Sequence, residues 1–136
     1  MRRRLVDARV AHLATVDAGA RPHIVPVVFA LAGEVIYFAV DAKPKRTLAL
    51  KRLANIAANP AVSILVDHYD DDWERLWWVR VDGSARVADD ARSREDALER
   101  LAGKYSQYAE SRPHGPIVAI TIQRMTGWTA ADHAAC

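Results

Sequence analysis

VAHLATVD at residues 10–17, PHIVPVVFAL at 22–31 and EVIYFAVD at 34–41 are three runs rich in β-branched and aromatic residues, separated by loops of two to four residues. Runs of this composition read as strands. Loops this short can join only antiparallel neighbours, because parallel strands need a long crossover. The first turn, Asp17-Ala18-Gly19-Ala20, has a glycine to take a positive φ, and Ala32-Gly33 is a second tight turn. Pro26 lies inside the second run and offers no ladder N–H, which places it at an edge or a bulge.

Working outward, residues 2–9 form a short helical lead. After Asp41 the period changes: Pro44 suits a first helical turn, and Leu48, Leu50, Leu53, Ile56 and Ala57 recur at helical spacing until Asn59-Pro60 ends the pattern. Strands follow at 61–69 (AVSILVDHY) and 74–88 (ERLWWVRVDGSARVA), the latter with a bulge or turn at Asp82-Gly83. Ser93 and Asp96 resemble a capping box for a helix over 94–105 that buries Ala97, Leu98, Leu101 and Tyr105. Residues 107–116 read as a polar loop, 117–123 (IVAITIQ) as the last strand, continued loosely through Gly127-Trp128-Thr129, and the segment from Ala130 to Cys136 as a disordered end. Six strands in one domain spanning 1–136 would leave exposed edges as an open sheet, so a closed or partly closed antiparallel barrel with flanking helices is expected.

Composition narrows the chemistry. A net charge of +2 is too small to argue for nucleic acid. The one cysteine, Cys136, allows neither an internal disulfide nor a cysteine-based zinc site. Asp7, Arg9 and His12 interrupt the leader-like Met1-Arg2-Arg3-Arg4, and no apolar run reaches membrane-spanning length, so a soluble cytoplasmic protein is expected. The five histidines are scattered, and Asp70-Asp71-Asp72 lacks the spaced ligands of a calcium loop, so no metal site is expected. His12 and His68, in expected strands, read as satisfied partly buried residues, and His23 either does the same or reaches a ligand. There is no nucleophile elbow, GxGxxG or P-loop.

Two features point to a site. Between Asp41 and Asp67 there is no acidic residue, while Lys43, Lys45, Arg46, Lys51 and Arg52 lie in that interval, where a strand gives way to a helix. Helix N-termini present free N–H groups, and cations beside them suit phosphate. Lys43-Pro44-Lys45-Arg46-Thr47 therefore reads as an anion cradle. A solvated basic helix face is the plainer alternative, but such faces usually alternate Lys with Glu. The second feature is Trp77-Trp78: neighbours on a strand face opposite sides, so one enters the barrel and the other points outward, toward an interface or a ligand.

Ala11-His12-Leu13-Ala14-Thr15-Val16-Asp17, Arg21-Pro22-His23-Ile24-Val25-Pro26-Val27, Ile36-Tyr37-Phe38-Ala39-Val40-Asp41 and Asn59-Pro60-Ala61-Val62-Ser63, in that order, resemble the pyridoxamine 5′-phosphate oxidase-like split-barrel proteins. Lys43-Pro44-Lys45-Arg46-Thr47, Asp67-His68-Tyr69, Leu76-Trp77-Trp78-Val79-Arg80 and Thr126-Gly127-Trp128 are more specifically similar to a branch of coenzyme F420-dependent enzymes found mainly in actinobacteria. The resemblance covers residues 8 to 130. It implies a six-stranded split barrel and a homodimer with two cofactor sites at the subunit interface. It further implies that Val25, Pro26 and Val27 line a deazaflavin ring, that Ala39 and Val40 end the strand beneath it, and that Lys43, Lys45, Arg46 and Thr47 take its phosphate side. Trp77, Trp78 and Trp128 would lie near the interface. The implied activity is F420-dependent hydride transfer to or from a small organic substrate. The alternatives are an FMN-binding oxidoreductase, a non-catalytic flavin or deazaflavin carrier, and a dimeric interaction module. No proton donor stands out near the expected ring.

Overall fold

Strands β2 (Pro22–Val27) and β3 (Ala30–Ala32) are joined by two residues, yet they are the two outermost strands of one seven-stranded sheet with the order β2-β1-β5-β6-β7-β4-β3. Two edges that close in sequence cannot lie at opposite sides of a flat sheet. The sheet must curl until its edges meet at Val28-Phe29, which makes a split barrel. In the computed structural model, which describes residues 1–40 and 46–131 and only the backbone of 46–50, every strand pair among the described residues is antiparallel. The remaining strands are β1 (Ala11–Val16), β4 (Val35–Ala39), β5 (Ala61–His68), β6 (Trp77–Val87) and β7 (Ile117–Thr129).

The expected single strand over 22–31 is thus two strands, which raises the count from six to seven. The break lies at Phe29, whose N–H donates to the Tyr105 hydroxyl at 3.2 Å, instead of to a ladder. The same hydroxyl lies 3.1 Å from the Phe29 carbonyl and 3.0 Å from the Arg9 carbonyl. One buried phenol thereby ties the seam of the barrel to the entry of β1.

Alternation fills the barrel. Leu13 of β1, Ile64 of β5 and Val81 of β6 stand in one cross-strand row, and all are buried. Phe29, Ile36 and Phe38 complete the same core. Each such side chain contributes about 1.5–3 kcal/mol on burial. Leu5 of α1 (Arg2–Asp7) and Ile56 of α2 (Arg46–Ala58) join the core from the helices. Inside, Asn55 donates to the Thr15 hydroxyl at 3.3 Å, pinning α2 to β1. Ala57, which shares the helical period of the sequence, faces outward.

The register shifts between Asp82 and Gly83, the expected bulge. Glycine is required there: a Cβ on Gly83 would stand 2.5 Å from the Thr121 carbonyl oxygen. In the first turn the positive φ falls at Ala20 (63°) and not at Gly19. Asp17 explains this, since its carboxylate accepts the N–H groups of both Gly19 and Arg21 at 2.9 Å and dictates the turn's shape.

Helix α3 (Ala91–Lys104) starts earlier than the sequence pattern suggests. Its cap is Asp90, which accepts the Ser93 N–H at 3.0 Å, so Ser93 is the donor and not the cap. Ala97, Leu98, Leu101 and Tyr105 are buried as expected, against Ala30, Tyr37, Ile117 and Ala119 on the outside of β3, β4 and β7. A short helix, α4 (Ser106–Glu110), begins the segment expected to be loop. No helix among the described residues is long and apolar enough to cross a membrane.

Candidate functional site

The strand registers lay out the outer face of β2, β1, β5, β6 and β7 as rows. Pro26, His12, Leu65, Arg80 and Thr126 stand in one row. Ile24, Ala14, Ser63, Asp82 and Arg124 stand in the next. Asp67, Trp78 and Trp128 form a third. Among the described residues no helix covers this face as α3 covers the other half. It carries a concavity of about 650 Å³, within the range of small-molecule and cofactor sites. Ile24, Leu65, Leu76, Trp78 and Trp128 give it a mainly apolar wall.

Polar groups mark its borders. On one side Ser63 donates to Asp82 at 2.6 Å, and Arg80 Nε stands 3.4 Å from the other Asp82 oxygen, near enough for an ion pair but not aligned as a hydrogen bond. On the other side His68 stacks on Trp77 with ring centres 6.0 Å apart and reaches Asp70 at 3.8 Å. Trp77 is the inward member of its pair: it packs against the core, and the Arg4 guanidinium sits 4.5 Å from its ring centre. Trp78 is the outward member and lines the concavity.

Of the residues singled out in sequence, the structure gathers Trp77, Trp78 and Trp128 around this one concavity. Pro26 is exposed on the same face, directly across from His12. The other strand residues point elsewhere. Val27 and Val40 are buried in the barrel core and Val25 packs against it. Ala39 lies beneath the α3 cluster. A ligand meeting Val25, Val27 or Val40 would therefore do so through their backbone. Lys43 and Lys45 lie outside the described residues. Arg46 and Thr47 open α2, and their side chains are likewise outside what is described.

The histidines fall differently from expectation. His12 is exposed and His68 is 44% exposed in its side chain; both line the concavity instead of being satisfied inside. His23 lies in β2 opposite Thr15, with its Nε2 3.3 Å from Asp17 at the β1–β2 turn. The Arg21 N–H, followed by His23, holds the Asp17 carboxyl well below the usual carboxylate range. Among the described residues no group of three or more His, Cys, Asp or Glu could hold a metal.

His12, Ile24, Ser63, Leu65, Asp67 and Arg80 also line the site, although the sequence reading gave none of them a place in it. The available signal was alternation: in 61–69 the even positions Val62, Ile64 and Val66 are core, so the odd positions Ser63, Leu65 and Asp67 had to share the other face.

The family model of pyridoxamine 5′-phosphate oxidase matches residues 1–129. No curated protein matches the chain. Among solved structures, an FAD-binding protein from Mesorhizobium loti is 23% identical, with 93% of this chain and 89% of that one covered and a TM-score of 0.69. The heme storage protein HutZ from Vibrio cholerae is 15% identical, with 94% and 90% covered and a TM-score of 0.69. An FAD-binding protein from Mycobacterium smegmatis is 20% identical, with 91% and 87% covered and a TM-score of 0.66. At these identities the likeness is one of fold.

Proposed function

The chain belongs to the pyridoxamine 5′-phosphate oxidase family, and on that premise we propose that it is a homodimeric oxidoreductase holding a flavin-type cofactor, coenzyme F420 in the finer reading, against the aromatic outer face of its sheet. The observation that carries this is the concavity lined by Trp78, Trp128, Leu65 and Ile24. An apolar aromatic wall with polar borders suits a planar heteroaromatic ring. FAD-binding proteins among the structural neighbours support the flavin class.

In this reading each residue has a limited task. Trp78 and Trp128 supply flat apolar surface and exclude water from the ring. Among the described residues strand β2 pairs with β1 alone, so backbone groups of Val25 and Val27 on its other side are candidates for the ring's polar edge. Ala39 and Val40 lead the chain from the barrel into the basic segment. Lys43, Lys45, Arg46 and Thr47 take the phosphate side, and the acid-free interval from 42 to 66 favours the acidic tail of F420. The bound ring supplies the two-electron chemistry; the protein positions and shields it. A second copy of the chain covers what remains of the aromatic face.

Titration of the purified protein with F420 and with FMN, followed by fluorescence or calorimetry, tests this. Tight F420 binding with weak FMN binding is expected. A preference for FMN moves the protein to the flavin-using reading, and binding of neither removes the cofactor claim. Turnover of reduced cofactor with candidate acceptors then separates a catalyst from a carrier.

A further inference from the structure

Away from the aromatic face, Arg9, Arg100 and Lys104 line a second pocket of about 410 Å³ together with Val6, Ala30, Leu31 and Gly103. It lies where the chain entering β1, strand β3 and the end of α3 meet. Its polar wall is cationic. Arg9 donates to the Lys104 carbonyl at 3.1 Å and lies 4.6 Å from the Tyr105 ring centre, which holds its guanidinium in place without neutralising it. Arg100 has Asp96 at 3.7 Å, a long contact for an ion pair. Lys104 is the unusual member. Its ammonium is buried over the Phe29 ring, 4.0 Å from the centre, and has no hydrogen-bond partner among the described residues. An ammonium has three donors, and burying them unpaired is costly. Burial, followed by the neighbouring Arg9 charge, lowers its pKa from 10.5 to about 8.

We propose that this pocket is a second anion site, taking a phosphate group of a small ligand between Lys104, Arg100 and Arg9. Lys104 forms part of the pocket wall, and rotation about its side-chain bonds would carry the ammonium off the Phe29 ring to an acceptor in the pocket. A bound oxyanion would satisfy the orphaned donors and screen the Arg9–Lys104 repulsion. It would also touch α1's end, the barrel seam and α3 at once. It shares no residue with the proposed cofactor cradle at residues 43–47, so either assignment can fail without the other.

The test is a titration of the full chain with inorganic phosphate at constant ionic strength, read residue by residue from amide NMR shifts. It is run in a background carrying Lys45→Ala and Arg46→Ala, so that phosphate at the other cradle does not contribute. Saturable shifts at Gly103 and Leu31 are expected. Lys104→Met should weaken that response about tenfold or more and Arg100→Gln several-fold, the scale of lost charge-assisted hydrogen bonds. No saturable shift at Gly103 and Leu31, or an unchanged response in both variants, overturns the proposal.

Discussion

The two halves of the sheet's outer face both carry apolar patches, but among the described residues only one is covered by a helix. Over β3, β4 and β7, Tyr37, Ile117 and Ala119 disappear beneath Ala97, Leu98 and Leu101 of α3. Over β2, β1, β5 and β6, Leu65, Trp78 and Ile24 line an open concavity, and Ile24 remains 69% exposed. The apolar character of a strand face does not say what buries it. A covered face is explained by folding; an uncovered aromatic one calls for something outside the fold, which the proposed function supplies as a second copy and a planar ring.

The contrast can be broken first on its covered side. Leu101→Ala removes a fully buried side chain from the α3 cluster and should cost about 2–5 kcal/mol in chemical denaturation. A loss below about 1 kcal/mol would mean that α3 is not the cover it is taken to be. On the uncovered side the corresponding large effect should fall on binding. Lys45→Ala combined with Arg46→Ala should weaken cofactor affinity by about 2–4 kcal/mol, if both side chains make charge-assisted hydrogen bonds to phosphate. Calorimetry giving an unchanged affinity in the folded double variant would remove these residues from the site.

Lys104 sharpens the comparison from within the fold. Its folded pKa, about 8, lies below the ordinary 10.5, so in that interval the unfolded chain binds the proton that the native one has lost. Stability of the ligand-free protein should therefore rise with pH from about 8 to about 10. Arg9 and Asp7 are the charges acting on the ammonium. The Tyr105 phenol, raised by burial, opposes the rise only at the alkaline end. Lys104→Met should flatten the rise and stabilise the protein at neutral pH by about 1–2 kcal/mol, since an apolar side chain over Phe29 carries no desolvation cost. A melting series across this pH range that is identical in both proteins would contradict that account. The smallest stability effect is expected for Ile24→Ser made in a monomeric Leu65→Asp background, within about 0.5 kcal/mol of that background by urea titration, because so little of its side chain is buried by the chain itself. A large loss would show that this face already serves the fold.

Much of this was legible in the sequence where contacts are local. The alternation of Val62, Ile64 and Val66 and the opposite senses of Trp77 and Trp78 follow from a strand's period of two, and the bulge at Gly83 from an Asp-Gly pair inside a strand. The division of 22–31 into β2 and β3 did not, because it depends on a hydroxyl 76 positions away, that of Tyr105. The placement of the α3 cap at Asp90 was missed because several residues there could cap, and tertiary packing of Ala97 and Leu101 sets the helix start. The site was legible in part. Aromatic type marked Trp78 and family resemblance marked Trp128, whereas His12, Leu65 and Arg80 join them only through cross-strand register. Val25, Val27 and Val40 came from family resemblance, and their inward side chains show what resemblance leaves out, which is the direction a residue faces.

Sedimentation equilibrium of the unmodified chain at micromolar concentration tests most directly whether the uncovered aromatic face is an interface. A stable dimer, dissociated by Leu65→Asp without loss of the folded signal, is the predicted result. A stable monomer at that concentration would contradict it and would leave the proposed interfacial cofactor site without its second wall.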